Sequence, residues 1–271
     1  NNILQYAPDL KEKYPGNAAE IELIRAQALY IRALVHLNLC CCYGQHYTYT
    51  PDASHWGVPN LSILPSANDP VLRASVYDVY NKRIIPDLEE AIGIFGSTTM
   101  DCYHASATAC EALLARVYLY MEQWQKASDY ATTVIAKVPL TSYENYVNMY
   151  VNIETGSEAI FRLNGFRASK DLWKFYDPVS PIARPADTLY TFFDQPDDIR
   201  LELLYATKDE VKTKACRKFY VAKDVVEDDK HYDPFVSRVS EMYLIRAEAN
   251  CYLPGGETTA ANDIKALQAR A

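Results

Sequence analysis

Histidine and cysteine are the side chains of this sequence that most often act in catalysis and metal binding. Their spacing here argues against both roles. The histidines His36, His46, His55, His104 and His231 form no HExxH-type pair, and no GxSxG, GxGxxG or P-loop motif occurs. His46 and His55 are close enough in sequence to approach each other, but a zinc site needs more ligands than two histidines. We therefore expect no catalytic residues, no metal and no cofactor.

The seven cysteines read as structural residues. Cys40, Cys41 and Cys42 are consecutive in an apolar helical pattern, and neighbouring side chains on a helix point about 100° apart, so they cannot converge on one metal. The other four show no CxxC spacing, so neither a zinc site nor a disulfide framework is predicted.

Charge and hydropathy exclude further classes of function. The formal net charge of -8 disfavours nucleic acid, which needs a basic footprint. No long apolar run occurs, and the first residues lack the pattern of a signal peptide, so the sequence predicts neither a membrane-spanning helix nor a leader.

The first strong helical pattern runs over residues 19–43. Apolar side chains form two stripes at steps of three and four, one through Ile24, Ile31 and Val35 and one through Leu34 and Leu37, so we expect a helix buried on two sides. A loop rich in Pro, Asn, Ser and Asp should follow it, and loops of this length often carry function.

A second helix is predicted over residues 75–96. Ser75 begins a capping signal, Pro86 should kink or split the helix, and Gly96 should end it.

A tetratricopeptide-type repeat is predicted over residues 104–138. Leu114, Ala115, Tyr118, Ala127 and Pro139 stand at the positions typical of this helix-turn-helix unit. Trp124 lies at its turn, and the repeat is divergent at Glu111 and Ala131.

Three similar segments, LIRAQA (23–28), LLARVY (113–118) and LIRAEA (244–249), predict three equivalent helices that each place an alanine at a helix crossing. Each segment carries one arginine, which we expect to snorkel to solvent or to pair with a nearby glutamate instead of binding a ligand. The expected pairs are Arg25 with Glu22, Arg116 with Glu111, and Arg246 with Glu248.

Between residues 140 and 238 the helical signal fades. SEAIFRLNG reads as a short strand, and KTKACRKFYVAKDVVEDDKHYDPFVSR reads as another extended pair with an acidic loop. The predicted fold class is therefore mainly α: tetratricopeptide-like helical repeats in an α-α superhelix, with an inserted, irregular, loop-rich subdomain that contains short strands. We expect one domain over 1–271, with helical repeats at about 19–43, 75–96, 104–138 and 240–270 and a ligand-binding subdomain at about 140–238.

The order of these segments resembles the SusD/RagB family of Bacteroidetes. The matching stretches include AEIELIRAQALYIRALVHLNLCCCYG, GVPNL, SVYDVYNKRIIPDLEEAI, SEAIFRLNG, DDIRLELL and SRVSEMYLIRAEAN, and they extend from Asn2 to about Ala271. The resemblance implies a non-catalytic outer-membrane lipoprotein on the cell surface that captures a nutrient, most often a glycan, for a SusC-like TonB-dependent transporter. The family's lipid anchor and C-terminal segment are absent from this sequence.

Loop aromatics are the candidate ligand-binding residues, because the apolar faces of sugar rings pack well on exposed aromatic planes. The chain has 22 Tyr, 3 Trp and 8 Phe. The candidates are Tyr47, Tyr49, His55, Trp56 and Asn60 in the first long loop, and Trp173, Phe175 and Tyr176 in the irregular subdomain.

Other functions remain open from the sequence. A tetratricopeptide-type scaffold would dock a peptide or protein on its helices. Capture of peptides within the same family is a second alternative, and a glycan-processing enzyme, which needs two carboxylates facing a cleft, is a third.

Overall fold

The structure is a computed structural model, and it describes residues 1–63, 65–66, 68–151, 158–165, 175–176, 182–193, 198–208, 211–219 and 233–269. The helices are α1 (Asn2–Lys13), α2 (Ala18–Tyr43), α3 (Val76–Val79), α4 (Ile85–Phe95), α5 (Ala107–Tyr120), α6 (Trp124–Ile135), α7 (Asn148–Val151), α8 (Asp187–Tyr190), α9 (Val239–Cys251) and α10 (Glu257–Gln268). The strands are β1 (Ala159–Arg162), β2 (Tyr205–Lys208), β3 (Val211–Lys214) and β4 (Phe235–Arg238). Mainly helical content with a few short strands confirms the predicted fold class.

The chain divides into two compact units. The first contains Asn1–Lys137 and Glu241–Ala261, and the second contains Val138–Ser240 and Asn262–Ala271. None of the described helices combines the length and hydropathy needed to cross a membrane.

In the first unit, α2 is buried on one face only. Ala26, Ala33 and Leu37 are almost completely buried on the face that packs against α4. The opposite stripe is exposed: Ile24, Ile31 and Val35 are 46%, 41% and 46% accessible, so the prediction of a helix buried on two sides is wrong.

A groove borders the exposed stripe of α2. The short helix α1 packs beside α2 but leaves an apolar cavity of about 500 Å³, lined by both helices. Its apolar lining consists of Ile3, Ile24, Ala28, Ile31 and Val35.

The helical segment around Pro86 runs without a break over residues 76–95 but changes its winding just before Pro86, whereas a kink or a split was predicted. α3 begins at Ser75, whose hydroxyl accepts a hydrogen bond from the backbone N–H of Asp78 at 3.0 Å. A π-helical turn over Tyr80–Ile84 then separates α3 from α4, which places Pro86 in the first turn of α4, where its missing N–H costs nothing.

α5 and α6 form the predicted repeat pair. Leu114, Ala115, Tyr118 and Ala127 are all buried, and the Tyr118 ring stacks on Tyr130 with centroids 5.6 Å apart. Small alanines at the crossing allow the two helix backbones to approach closely.

The arginines of the three similar segments make different contacts from those predicted, except for Arg25, which pairs with Glu22 at 3.0 Å. Arg116 pairs with Glu241 of α9 through two bonds of 2.5 and 2.7 Å, while Glu111 is bound by Lys137 instead. Arg246 donates to Thr132 Oγ1 at 3.3 Å and lies over the Tyr243 ring. The guanidinium groups of Arg116 and Arg246 thus bind residues of neighbouring helices, because closely packed helices bring those residues within reach.

In the second unit the strands form two antiparallel pairs. β1 is confirmed as a strand, and it pairs with β4 in an irregular register, while β2 and β3 form a hairpin. The stretch predicted as one extended pair therefore supplies β3 and β4 to different sheets, and β2 was not predicted. A small core of Tyr146, Met149, Tyr150, Val151, Ile199 and Leu203 lies in the same unit.

Candidate functional site

The loop after α2 is anchored along its backbone between residues 53 and 58. Val76 N donates to His55 O at 2.9 Å, and Tyr77 N donates to Ala53 O at 2.9 Å. Gly57 N donates to the carbonyl of Ala74 at 2.8 Å, and a Cβ at Gly57 would lie only 3.1 Å from the Val76 backbone. The loop, residues 45–60, is thus fixed through residues 53–58 to the start of α3, at a spacing that favours glycine at position 57.

Trp56 and Tyr49 present their rings to solvent on this loop. Trp56 is 67% accessible and Tyr49 is 65% accessible, although the backbone of Trp56 is bridged to Ser75. The Tyr49 ring meets His55 edge-on, with centroids 5.3 Å apart. An exposed aromatic ring on a fixed backbone can receive a flat apolar surface with little loss of conformational entropy.

His55 serves to hold the loop. Its Nδ1 lies 2.8 Å from Thr50 Oγ1 and its Nε2 lies 3.4 Å from the carbonyl of Gln45. His46 Nδ1 is engaged separately by Thr48 Oγ1 at 3.0 Å. Across the described ranges, no three His, Cys, Asp or Glu side chains are grouped closely enough to hold a metal ion.

Tyr47 and Asn60 face inward. The Tyr47 ring lies 5.0 Å from the Tyr80 ring, and its hydroxyl accepts a hydrogen bond from Asn81 Nδ2 at 3.1 Å. Asn60 Oδ1 accepts from Arg83 Nε at 2.7 Å. Both side chains tie the loop to the π-helical turn, which leaves Tyr49 and Trp56 as the candidates of this loop with open rings.

The candidates of the irregular subdomain lie in the second unit. Phe175 is half exposed, and the Tyr176 ring stacks on Phe219 at a centroid distance of 4.5 Å. Trp173 lies outside the described residues.

Four residues near the anchored loop were not among the predicted site residues. Tyr43 is 70% accessible and Tyr77 is partly exposed, but both belong to helical segments, where periodicity favoured a packing role. Arg73 binds backbone carbonyls of the loop. Asp52 accepts from Ser54 N at 3.1 Å, and this bonding with Ser54 holds its pKa below the ordinary value, so it is a charged acceptor on the same loop as Trp56.

Two cysteines of α2, Cys40 and Cys41, are poor nucleophiles. Burial raises the pKa of the Cys40 thiol to about 11, and burial also raises the pKa of Cys41. Because the thiolate is the reactive form, neither side chain is activated at neutral pH. The loop itself offers the exposed rings of Tyr49 and Trp56 for stacking against a ligand, with polar groups on the same loop for hydrogen bonds.

Comparison with known proteins agrees with the fold. A SusD-like family model, described as starch-binding and associating with the outer membrane, matches residues 1–119. A SusD superfamily protein from Bacteroides thetaiotaomicron is 25% identical with a TM-score of 0.76, and the match covers 98% of this chain and 64% of that one. No curated protein sequence matches the chain.

Two further solved structures share this fold. A SusD-like carbohydrate binding protein from Bacteroides vulgatus is 23% identical with a TM-score of 0.74, over 93% of this chain and 55% of that one. A laminarin binding SusD-like protein is 20% identical with a TM-score of 0.67, over 92% of this chain and 64% of that one. The chain therefore spans less than two thirds of the length of these structures.

The sequence resemblance, the family model and the shared architecture agree with one another. SusD-like proteins are binding proteins that associate with the outer membrane. The N-terminal match and the fold shared along nearly all of its length make this chain similar to SusD-like proteins and support the SusD/RagB resemblance seen in the sequence.

Proposed function

We propose that this protein is a non-catalytic glycan-binding protein and that loop 45–60 supplies part of its ligand site. The observation that carries the proposal is the exposed Trp56 ring on a backbone fixed by hydrogen bonds to residues 74–77. An apolar ring of this size is usually buried, and on a rigid loop it offers a ready surface for the C–H face of a sugar.

The relatives support a carbohydrate ligand. The family is described as starch-binding, and one solved relative is described as laminarin binding. Both polymers are neutral glucans, which suits a chain of net charge -8 better than an acidic polysaccharide would.

We further propose the family's mode of action for this chain. The protein would be held at the extracellular face of the outer membrane by a lipid anchor and would pass its ligand to a SusC-like TonB-dependent transporter. Affinity purification of the tagged protein from outer membranes tests this step. A TonB-dependent transporter in stoichiometric amount is the expected result, and its absence would contradict the proposed delivery.

Affinity electrophoresis through gels that contain laminarin or soluble starch tests the ligand. We expect one polymer to retard the protein, and we expect Trp56→Ala to weaken binding by up to about 10-fold, since stacking of one ring is worth about 0.5–1.5 kcal/mol. Tyr252→Ala is the matched control. Tyr252 is also an exposed aromatic residue, but it follows the end of α9 and stacks on Trp124 instead of lying in the loop.

Failure of both polymers to retard the protein would contradict the glucan assignment. Equal binding by Trp56→Ala and the parent would contradict the assignment of the site to this loop. Release of reducing ends from a retarding polymer would contradict the non-catalytic role and favour the glycan-processing alternative.

The groove between α1 and α2 favours a second candidate function, a tetratricopeptide-type scaffold. Its apolar lining has the helical spacing that an amphipathic peptide could fill. Fluorescence polarisation with amphipathic helical peptides tests this function, with Ile31→Glu as the variant that should abolish binding. Binding of such a peptide without any polysaccharide binding would replace the glycan proposal.

A further inference from the structure

We propose that Arg73 is the positioning residue for Trp56, and this inference rests on the proposed function of loop 45–60. Arg73 donates through Nε to Gly57 O at 2.6 Å. Its Nη2 donates to Tyr43 O at 2.8 Å and to Trp56 O at 3.2 Å. One guanidinium therefore binds the consecutive backbone carbonyls of Trp56 and Gly57 and also the end of α2.

The three acceptors explain why arginine suits this position. Tyr43 is the last residue of α2, so its carbonyl has no partner within the helix and lies at the negative end of the helix dipole. A planar guanidinium can donate along several directions at once, whereas a lysine ammonium is a single point of charge on a flexible stem. The contact therefore satisfies a helix end and fixes a loop with the same side chain.

The geometry places two exposed aromatic residues at a fixed separation. The carbonyl oxygens of Tyr43 and Trp56 are 2.8 and 3.2 Å from the same nitrogen, so they cannot lie more than about 6 Å apart. The side chains of both residues are about 70% exposed. Arg73 thus joins the backbone at Tyr43 to the backbone at Trp56, so that the two exposed aromatic residues leave the protein from one fixed point of the main chain.

The positioning role has a signature that a general structural role lacks. If Arg73 orders Trp56, its loss must increase the local motion of the indole while the helical unit stays folded. Trp124→Phe and Trp173→Phe together leave Trp56 as the sole tryptophan, because the chain contains three. Time-resolved anisotropy and acrylamide quenching then report on Trp56 alone.

The experiment compares Arg73→Ala and Arg73→Lys, with anisotropy and quenching measured in this background and affinity measured in the parent sequence, which keeps Trp173. For both variants we expect faster indole depolarisation, stronger quenching and an affinity for laminarin or soluble starch, whichever the parent binds, that is weakened toward that of Trp56→Ala. Arg25→Ala is the control, because Arg25 is an arginine of the same unit whose described ion pairs, with Glu22 and Glu90, lie on helices away from the loop. It should leave anisotropy and affinity unchanged.

Three outcomes would overturn the inference. Unchanged Trp56 anisotropy in Arg73→Ala would do so whether or not binding changes, since lost binding with an ordered indole would mean that Arg73 contacts the ligand itself. Parent-like affinity despite a mobile indole would also overturn it. So would parent-like behaviour of Arg73→Lys, because charge alone would then suffice.

The test separates this inference from the proposed function. If the parent binds neither polymer, the proposed function fails. The anisotropy of Arg73→Ala still decides whether Arg73 orders Trp56, and an unchanged value overturns the positioning role by itself.

Discussion

Glu158 is a fully buried carboxylate whose partners come from distant parts of the second unit. Its Oε1 accepts hydrogen bonds from the Ser240 hydroxyl at 2.9 Å and from Arg238 Nη1 at 3.2 Å. Its backbone N–H donates to Thr141 Oγ1 at 3.0 Å, so one residue joins the segment before β1 to the end of β4. A buried group of this kind is costly to leave without partners.

Loss of the Glu158 carboxylate should destabilise the second unit strongly. We expect Glu158→Ala to lower the free energy of unfolding by about 3 kcal/mol, because it strips Arg238 of its charge partner and leaves donors unsatisfied. Glu158→Gln, which keeps the shape, should cost less. Urea denaturation followed by circular dichroism measures both, and a loss below about 1 kcal/mol for the alanine variant would contradict the prediction.

His36 gives the first unit a pH dependence that can be predicted in sign. Burial lowers the pKa of His36 below its ordinary value of 6.5, with the cation of Arg83 acting in the same direction, while its bond to the Arg32 carbonyl and the Asp87 carboxylate oppose the shift. The unfolded chain therefore takes up a proton at His36 at a pH where the folded protein does not. Stability from this group is complete above about pH 6.5 and is lost as the pH falls below it.

Unfolding midpoints at pH 7.5 and pH 5.5 test the role of His36. The parent should be less stable at the lower pH, and His36→Asn should show a smaller difference between the two conditions. His104→Asn is the control, since His104 is exposed and should leave the His36 contribution in place. An equal pH dependence in the parent and His36→Asn would refute the assignment.

At the scale of elements, the two stripes of α2 differ in burial and should differ in energy. Leu37 is 1% accessible in the core, whereas Ile31 is 41% accessible beside the groove. Leu37→Ala should cost about 2–5 kcal/mol through lost burial and a residual cavity. Ile31→Gln should change stability by no more than about 0.5 kcal/mol.

Guanidinium chloride titrations of both α2 variants measure this difference. A cost for Ile31→Gln close to that of Leu37→Ala would mean that the second stripe is covered, and the finding of a one-sided helix would be wrong. The same comparison bears on the groove, because a surface that tolerates a polar side chain is free in the isolated protein.

At the scale of the whole molecule, we predict that ligand binding and partner binding use different surfaces. The repeat helices present exposed charged faces such as Lys126 and Asp129 on α6, whereas the candidate ligand residues lie in loops. Asp129→Lys should therefore leave polysaccharide affinity within about twofold of the parent, because it lies on a helix and not in the loop. Trp56→Ala should weaken polysaccharide binding but leave the association with the transporter unchanged.

Affinity electrophoresis and membrane co-purification of these two variants provide the measurements. Equal impairment of ligand binding by the helix and loop substitutions would contradict the prediction that ligand and partner bind different surfaces.

The sequence alone determined α2, α5 and α6 and the start of α3 at Ser75, whereas α1, α7 and α8 were not predicted. Local signals were sufficient, because a helix depends on spacings of three and four residues and a cap such as Ser75 acts within one turn. The repeat pair and β1 followed from the same short-range patterns. The aromatic character of loop 45–60 was also readable, since composition is written in the sequence.

Only the tertiary structure decided which of these features face solvent. Tyr47 and Trp56 look alike as loop aromatics, yet Tyr47 packs on Tyr80 while Trp56 is exposed. Arg116 forms its ion pair with Glu241, 125 residues away in the sequence, and not with the nearby Glu111. Such outcomes depend on which elements meet in space, and contacts between distant residues leave no periodic trace in the chain. The sequence could therefore name the candidate residues, but burial and long-range hydrogen bonds selected among them.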